Sequence, residues 1–229
     1  AIDAANSDGA PIASLAELQT IANPGAATAA AQTKIAAYAQ DNGAANPAPS
    51  VADYTAAGVT GIDATNLAAM NAALASAPVL GSNADTAPEI QAIANALNKV
   101  LAEANGATGD STTADPVAAD YAALGATLGA AATDPENLAL LNDIIGNKVA
   151  AEVDTPAELT ALADLANRIA QVAAGQTASP ALTVADLTAA GLTGVTPENL
   201  VATLAAIAAT PDDGSGIDSL SELQTAASQ

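Results

Sequence analysis

Apolar residues return every three or four positions over most of this chain. Ile90, Ile93, Leu97, Val100 and Leu101 make one stripe, and Leu159, Leu162, Leu165, Ile169 and Val172 a second. That spacing is the period of an amphipathic helix with one buried face. Shorter stripes follow the same rule: Leu67, Met70 and Leu74; Leu138, Leu141 and Ile145; Leu200, Leu204 and Ile207, with Thr203 at the position of Met70 and Leu141. No run has the alternation and β-branched enrichment of a strand, and Ala181-Leu182-Thr183-Val184 is too short to count. The pattern predicts an all-α chain.

Polar punctuation divides the stripes into three kinds of helix in a fixed order. Long helices start at Ser14, Thr86, Thr155 and Ser219, each followed three residues later by Glu17, Glu89, Glu158 or Glu222. These are capping boxes: the hydroxyl accepts the third helical N–H and the carboxylate accepts the cap N–H. Short helices are predicted over Ser50–Gly58, Asp115–Gly125 and Thr183–Gly191. Asp53 and Asp186 complete boxes there, and Gly58, Gly125 and Gly191 stand where a left-handed cap is wanted. Helices of medium length start at Asp63, Asp134 and Thr196. Pro135 and Pro197 fill the first turn in two of them, and an Asn-Leu pair recurs in all three: Asn66-Leu67, Asn137-Leu138 and Asn199-Leu200.

Recurrence at this spacing predicts a tandem, elongated array of three-helix modules: residues 1–84, 85–153 and 154–218, with 219–229 starting a fourth. Ser14-Leu15-Ala16-Glu17-Leu18-Gln19-Thr20 returns as Ser219-Leu220-Ser221-Glu222-Leu223-Gln224-Thr225. In the first module, Asn23-Pro24-Gly25 is expected to kink or split the long helix before Thr33 resumes it. The stretches 77–85 and 210–218 are expected to be loops. The stretch 146–154 carries apolar residues able to tuck into a neighbour.

Composition narrows the packing and the partners. With 67 alanines and no phenylalanine or tryptophan, a core must come from Ala, Leu, Ile and Val, which favours closely approaching helices. Each module is thinly buried, so stacking on its neighbours within the chain supplies contact that one unit lacks. Tyr38, Tyr54 and Tyr121 are expected to be half-buried rings with wet hydroxyls. Four basic residues (Lys34, Lys99, Lys148, Arg168) face 25 acidic ones, a net charge of -21. That field repels phosphate backbones and anionic lipid, so neither nucleic acid nor membrane contact is expected, and the copies should stay apart as monomers. There is no cysteine to form a disulfide or thiolate site, and neither a spanning helix nor a signal peptide is expected in this stretch.

Candidate chemistry is sparse. Without histidine or cysteine, the commonest base, nucleophile and transition-metal ligands are missing. Asp53, Asp134, Asp186, Glu17, Glu89, Glu158, Glu198 and Glu222 all fall in first turns, where they answer the helix dipole. No catalytic, cofactor-binding or metal residue is therefore assigned, and the expectation is a non-enzyme without cofactor. The oxygen-rich loops Asp212–Asp218 and Asp3–Gly9 fail as EF-hands, because the twelfth position is Leu223 in one and Ser14 in the other. They are expected to be solvated linkers, with weak calcium binding as the alternative. Gly58-Val59-Thr60-Gly61 and Gly191-Leu192-Thr193-Gly194 lack the lysine of a phosphate loop and read as a cap followed by a turn.

The pieces Leu182–Thr196 and Ser50–Asp63, rich in Ala, Thr, Gly and Asp, resemble helical tandem repeats of very large bacterial cell-surface adhesins, the type secreted by type I systems. The resemblance implies a structural spacer at the bacterial cell surface, outside the cell, projecting a distal binding domain. The alternative is a helical module that binds a host or matrix protein through an exposed helix face, for which the three tyrosines are the available anchors.

Overall fold

The structure, a computed structural model, describes residues 24–106, 114–210 and 217–228. Among these residues it is all-helical, with α1 Pro24–Gln40, α2 Val51–Ala57, α3 Leu67–Leu74, α4 Ala87–Glu103, α5 Ala118–Ala123, α6 Pro135–Gly146, α7 Pro156–Ala173, α8 Val184–Ala190, α9 Leu200–Ala208 and α10 Leu220–Ala227. Short 3-10 turns at Gly81–Asn83, Gly129–Ala132 and Ala150–Glu152 lie between them. The described residues contain no strand, only an isolated antiparallel bridge between Asn105 and Val149. Two compact units divide after Ala94, within α4.

In the first unit α1 packs on α2 and on the 81–83 turn. Ile35, Ala39, Tyr54, Met70, Leu74 and Ile90 are buried there. In the second unit α7 contacts α6, α8 and α9, while α10 lies on α9 and α6. Leu140, Leu141, Ile144, Leu159, Ile169, Leu187 and Leu223 are buried in it.

Local chemistry sets most helix ends as expected. Thr155 Oγ1 accepts the Glu158 N–H at 3.3 Å, and Glu158 accepts the Thr155 N–H at 3.0 Å. Ser50 with Asp53 and Thr183 with Asp186 form the same reciprocal pair. Gly58 and Gly191 end α2 and α8 at φ +87° and +112°, where an L side chain would be strained. The box expected at Ser14 and Glu17 lies outside the described residues, as do the Asp3–Gly9 loop and residues 212–216 of the Asp212–Asp218 loop.

Four expectations need correction. First, the helix does not wait until Thr33 to resume: α1 is unbroken from Pro24 through Thr33 to Gln40, and what precedes Pro24 lies outside the described residues. Pro24 opens the helix, where its missing N–H costs no hydrogen bond. Second, α5 starts at Ala118 and not at Asp115. The Pro116 carbonyl accepts Asn142 Nδ2 at 3.0 Å, and Val117 remains extended; Asp120 accepts the Val117 N–H at 2.8 Å, but Val117 has no side-chain oxygen to complete a box. Third, α3 and α9 begin at Leu67 and Leu200 because the Asn before each is a turn clamp. Asn66 Oδ1 accepts the Asp63 N–H and its Nδ2 donates to the Gly61 carbonyl, and Asn199 treats Thr196 and Gly194 in the same way. Fourth, the 77–85 stretch is packed and not a plain loop, with Val79, Gly81 and Ala84 buried. In the 146–154 stretch Val153 tucks in, while Val149 remains exposed.

Gly81 shows how close that packing is. A Cβ built on it would lie 2.7 Å from the Ala36 carbonyl oxygen of α1, a backbone atom that cannot rotate away. Gly81→Ala should therefore cost about 1–3 kcal/mol by overpacking, measured as a lowered denaturation midpoint.

Candidate functional site: the helix joints

Three sets of side-chain contacts tie one helix to the next, and each recurs along the chain. The first joins a long helix to the short helix after it. Lys34 Nζ meets Asp53 Oδ2 at 2.6 Å, Lys99 Nζ meets Asp120 Oδ2 at 2.9 Å, and Arg168 Nη2 meets Asp186 Oδ1 at 2.7 Å. Each aspartate also accepts the backbone N–H at the start of its helix, so one carboxylate answers both the dipole and a cation. Burial alone would raise Asp53, but hydrogen bonds from Lys34 and Ser50 overcome it and hold its carboxyl at about 2. The Arg168 hydrogen bond, helped by Thr183, holds Asp186 lower still despite burial. The fourth basic residue, Lys148, donates to the Ala189 carbonyl at the end of α8. All four basic side chains, which lie among the described residues, are thus engaged internally.

The second set locks the short helix to the medium one. Tyr54 Oη donates to Asn71 Oδ1 and Tyr121 Oη to Asn142 Oδ1, both at 2.6 Å. The same amides donate onward to the Pro49 and Pro116 carbonyls. Both rings are 0% exposed, contrary to the expectation of wet hydroxyls, and burial raises both phenols above their usual range. Tyr38 is 9% exposed. At the corresponding positions of the third stretch stand Leu187 and Leu204, so both polar partners are absent together.

The third set joins the start of a long helix to the turn that follows the preceding short helix. Gln91 Oε1 accepts the Thr60 N–H at 2.8 Å and its Nε2 donates to the Thr60 carbonyl at 3.1 Å. Gln224 grips Thr193 identically, at 2.9 and 3.2 Å. Between them, Thr160 Oγ1 accepts the Thr127 N–H at 3.0 Å. One residue before each of these three side chains stands a buried apolar one: Ile90, Leu159 or Leu223. In the middle case Asn167 adds a second grip: its Nδ2 donates to the Leu128 carbonyl at 2.7 Å and its Oδ1 accepts the Ala131 N–H at 3.0 Å. Sequence analysis did not find these contacts, although Gln91, Thr160 and Gln224 each stand five residues after a predicted cap.

An aspartate precedes each described long-helix cap and crowds the capping glutamate: Asp85 with Glu89, Asp154 with Glu158, and Asp218 with Glu222. The hydrogen bond to Glu222, then burial, then the charges of Glu222 and Glu136 push Asp218 up to about 6. A carboxyl raised on folding favours the folded form as pH falls. The contribution of Asp218 should therefore grow from pH 7 through 6 and level off near its ordinary value of 3.8. Asp53 and Asp186 act oppositely, since lowered groups lose their stabilisation as pH drops below the ordinary range. A stability maximum between about pH 4 and 6 is expected. Hydrogen exchange of the α10 amides, corrected for intrinsic rate, should slow several-fold from pH 7.5 to 5.5, and Asp218→Ala should abolish that change.

Among the described residues, no group of three or more acidic side chains is placed to hold a metal ion. A cleft of about 380 Å³ is lined by Asp134, Glu136, Asn137, Asn167, Gln171 and Gln176, among others. Asp134 is occupied there in capping α6 through the Glu136 and Asn137 N–H groups, and Asn167 is held by the joint. A second cleft, about 540 Å³, shares Asn167 and is flanked by Asp164 and by Arg168, which is already paired. Among the described residues, no helix is long and apolar enough to cross a membrane. No family model matches the chain, and neither a curated protein nor a solved structure does.

Proposed function

We propose that this chain is a non-catalytic spacer: a tandem array of three-helix modules, extended along its length, that carries a distal binding domain away from a bacterial cell surface. The observation that supports it is the recurrence of the joints. Cation–aspartate, tyrosine–asparagine and glutamine–threonine contacts return at corresponding places in successive stretches, and these polar side chains hold helix to helix. An array of this kind adds length by adding units, each stabilised by its neighbours. With all four cations engaged internally, the surface left over is strongly acidic. That charge keeps an alanine-rich chain soluble and disfavours nucleic acid and anionic membranes as partners.

The alternative, a module that grips a host or matrix protein, needs an exposed aromatic or apolar patch. The burial of Tyr54 and Tyr121 removes the anchors it relied on. Small-angle scattering tests the spacer reading. A monomer with a radius of gyration well above about 17 Å, the value for a compact chain of this length, is expected, and a value at that figure would overturn it.

A further inference from the structure

Residues 8–20 and 213–225 are identical at nine of thirteen positions. In the second segment the shared residues include those that dock α10. Ile217, Leu220 and Leu223 are buried, Ser219 and Glu222 cap the helix, and Gln224 grips Thr193. The Leu220 N–H also donates to Asp143 Oδ2 of α6 at 2.8 Å. Their counterparts are Ile12, Leu15, Leu18, Ser14, Glu17 and Gln19, in a segment that lies outside the described residues. Two of the four differences fall at Ser215 and Gly216, and a third is Ala16 for the exposed Ser221. The fourth is Ala13 for Asp218.

That last difference matters electrostatically. Carboxylates around the docked segment are Glu136 and Asp143 on α6, Asp134 at its cap, and Glu222 on α10 itself, while Lys148 holds the Ala189 carbonyl beside the Gly191 turn; α9 carries no titratable group. Acidic groups thus outnumber the cation, and a segment with alanine in place of Asp218 brings one fewer negative charge to this face. We propose that the face covered by α10, formed by α6, α9 and the Gly191–Gly194 turn, is a helix-acceptor site, and that its partner is the Asp8–Thr20 segment of a second copy of this chain. Chains would then join head to tail through the joint that also operates within them. This rests on the recurring joint and not on the spacer role, so the scattering experiment and the one below can fail independently.

Within one chain α10 holds the face at an effective concentration of order millimolar, so donation from another copy competes poorly until α10 is displaced. The test uses the full-length chain with Leu223→Asp, which expels α10 and leaves the acceptor residues intact. A fluorescein-labelled peptide of residues 6–22 should bind this variant saturably and at least tenfold more tightly than it binds the unsubstituted chain. Leu18→Asp in the peptide should weaken binding by at least tenfold. No binding to a variant that retains its helical circular dichroism would overturn the proposal, as would equal binding to both chains.

A second measurement does not depend on that variant folding. The chain has no cysteine, so one full-length preparation with Gln19→Cys and another with Thr193→Cys can be mixed at about millimolar concentration, where a second copy matches the effective concentration of α10, and oxidised. Mixed dimers in several-fold excess over like dimers are expected, whereas a statistical mixture would contradict the proposal.

Discussion

Tyr121→Leu and Asn142→Leu should each destabilise the chain by about 2–3 kcal/mol, yet the double variant should cost about 2 kcal/mol less than their sum. Either single change leaves a buried polar group without its partner. Without the tyrosine, Asn142 Oδ1 loses the 2.6 Å bond it accepts. Without the asparagine, the Tyr121 hydroxyl is stranded at 0% exposure and the Pro116 carbonyl loses its donor. Removing both leaves an apolar contact, and the chain already contains that solution as Leu187 and Leu204. Hydrogen exchange of the α5 and α6 amides in the four proteins of the cycle measures the coupling. Additive losses would show that the pair is not the energetic link between these helices.

Asn167→Ala should cost about 3 kcal/mol, because one amide holds the Leu128 carbonyl, the Ala131 N–H and Asn137 Nδ2 at the joint between α6, its preceding 3-10 turn and α7. Asn167→Asp should be worse at neutral pH, since it turns a carboxylate oxygen against the Leu128 carbonyl. Part of that loss should return as pH falls, because a protonated carboxyl can donate where Nδ2 did. Urea denaturation of both variants at pH 7 and 5 reads the difference. An aspartate variant insensitive to pH would mean that the donor to Leu128 is dispensable.

Both predictions concern contacts between residues 21 to 39 positions apart, and that separation explains what the sequence does not show. The capping boxes at Thr155, Ser50 and Thr183 and the glycine caps at Gly58 and Gly191 were legible because they involve neighbours three or four residues apart. Within that reach, residue type and spacing nearly dictate the bond. The start of α5 departs from its local signature for the opposite reason. Asp115-Pro116 has a good local signature, but Asn142 takes the Pro116 carbonyl and prolongs the extended segment. Asn66 and Asn199 likewise have the local signature of early helical residues, but their amides close turns back to Gly61 and Gly194. The candidate site was partly visible without being recognised. Tyr54 with Asn71, Tyr121 with Asn142 and Leu187 with Leu204 change together, but this becomes a contact only once α2 is seen against α3 and α5 against α6.

The amino-acid sequence by itself determined an all-helical chain, the order long, short, medium, most helix ends, the strong acidity and the lack of histidine or cysteine chemistry. All of these follow from composition or from interactions that close within one helical turn. Tertiary structure alone decided that the tyrosines are sealed in, that each cation meets a particular carboxylate or carbonyl, and that a glutamine at the start of one long helix grips the turn after an earlier short one. Those pairings depend on helix packing. Packing brings together groups that no spacing rule connects, in an interior where an unpaired polar atom is too costly to keep.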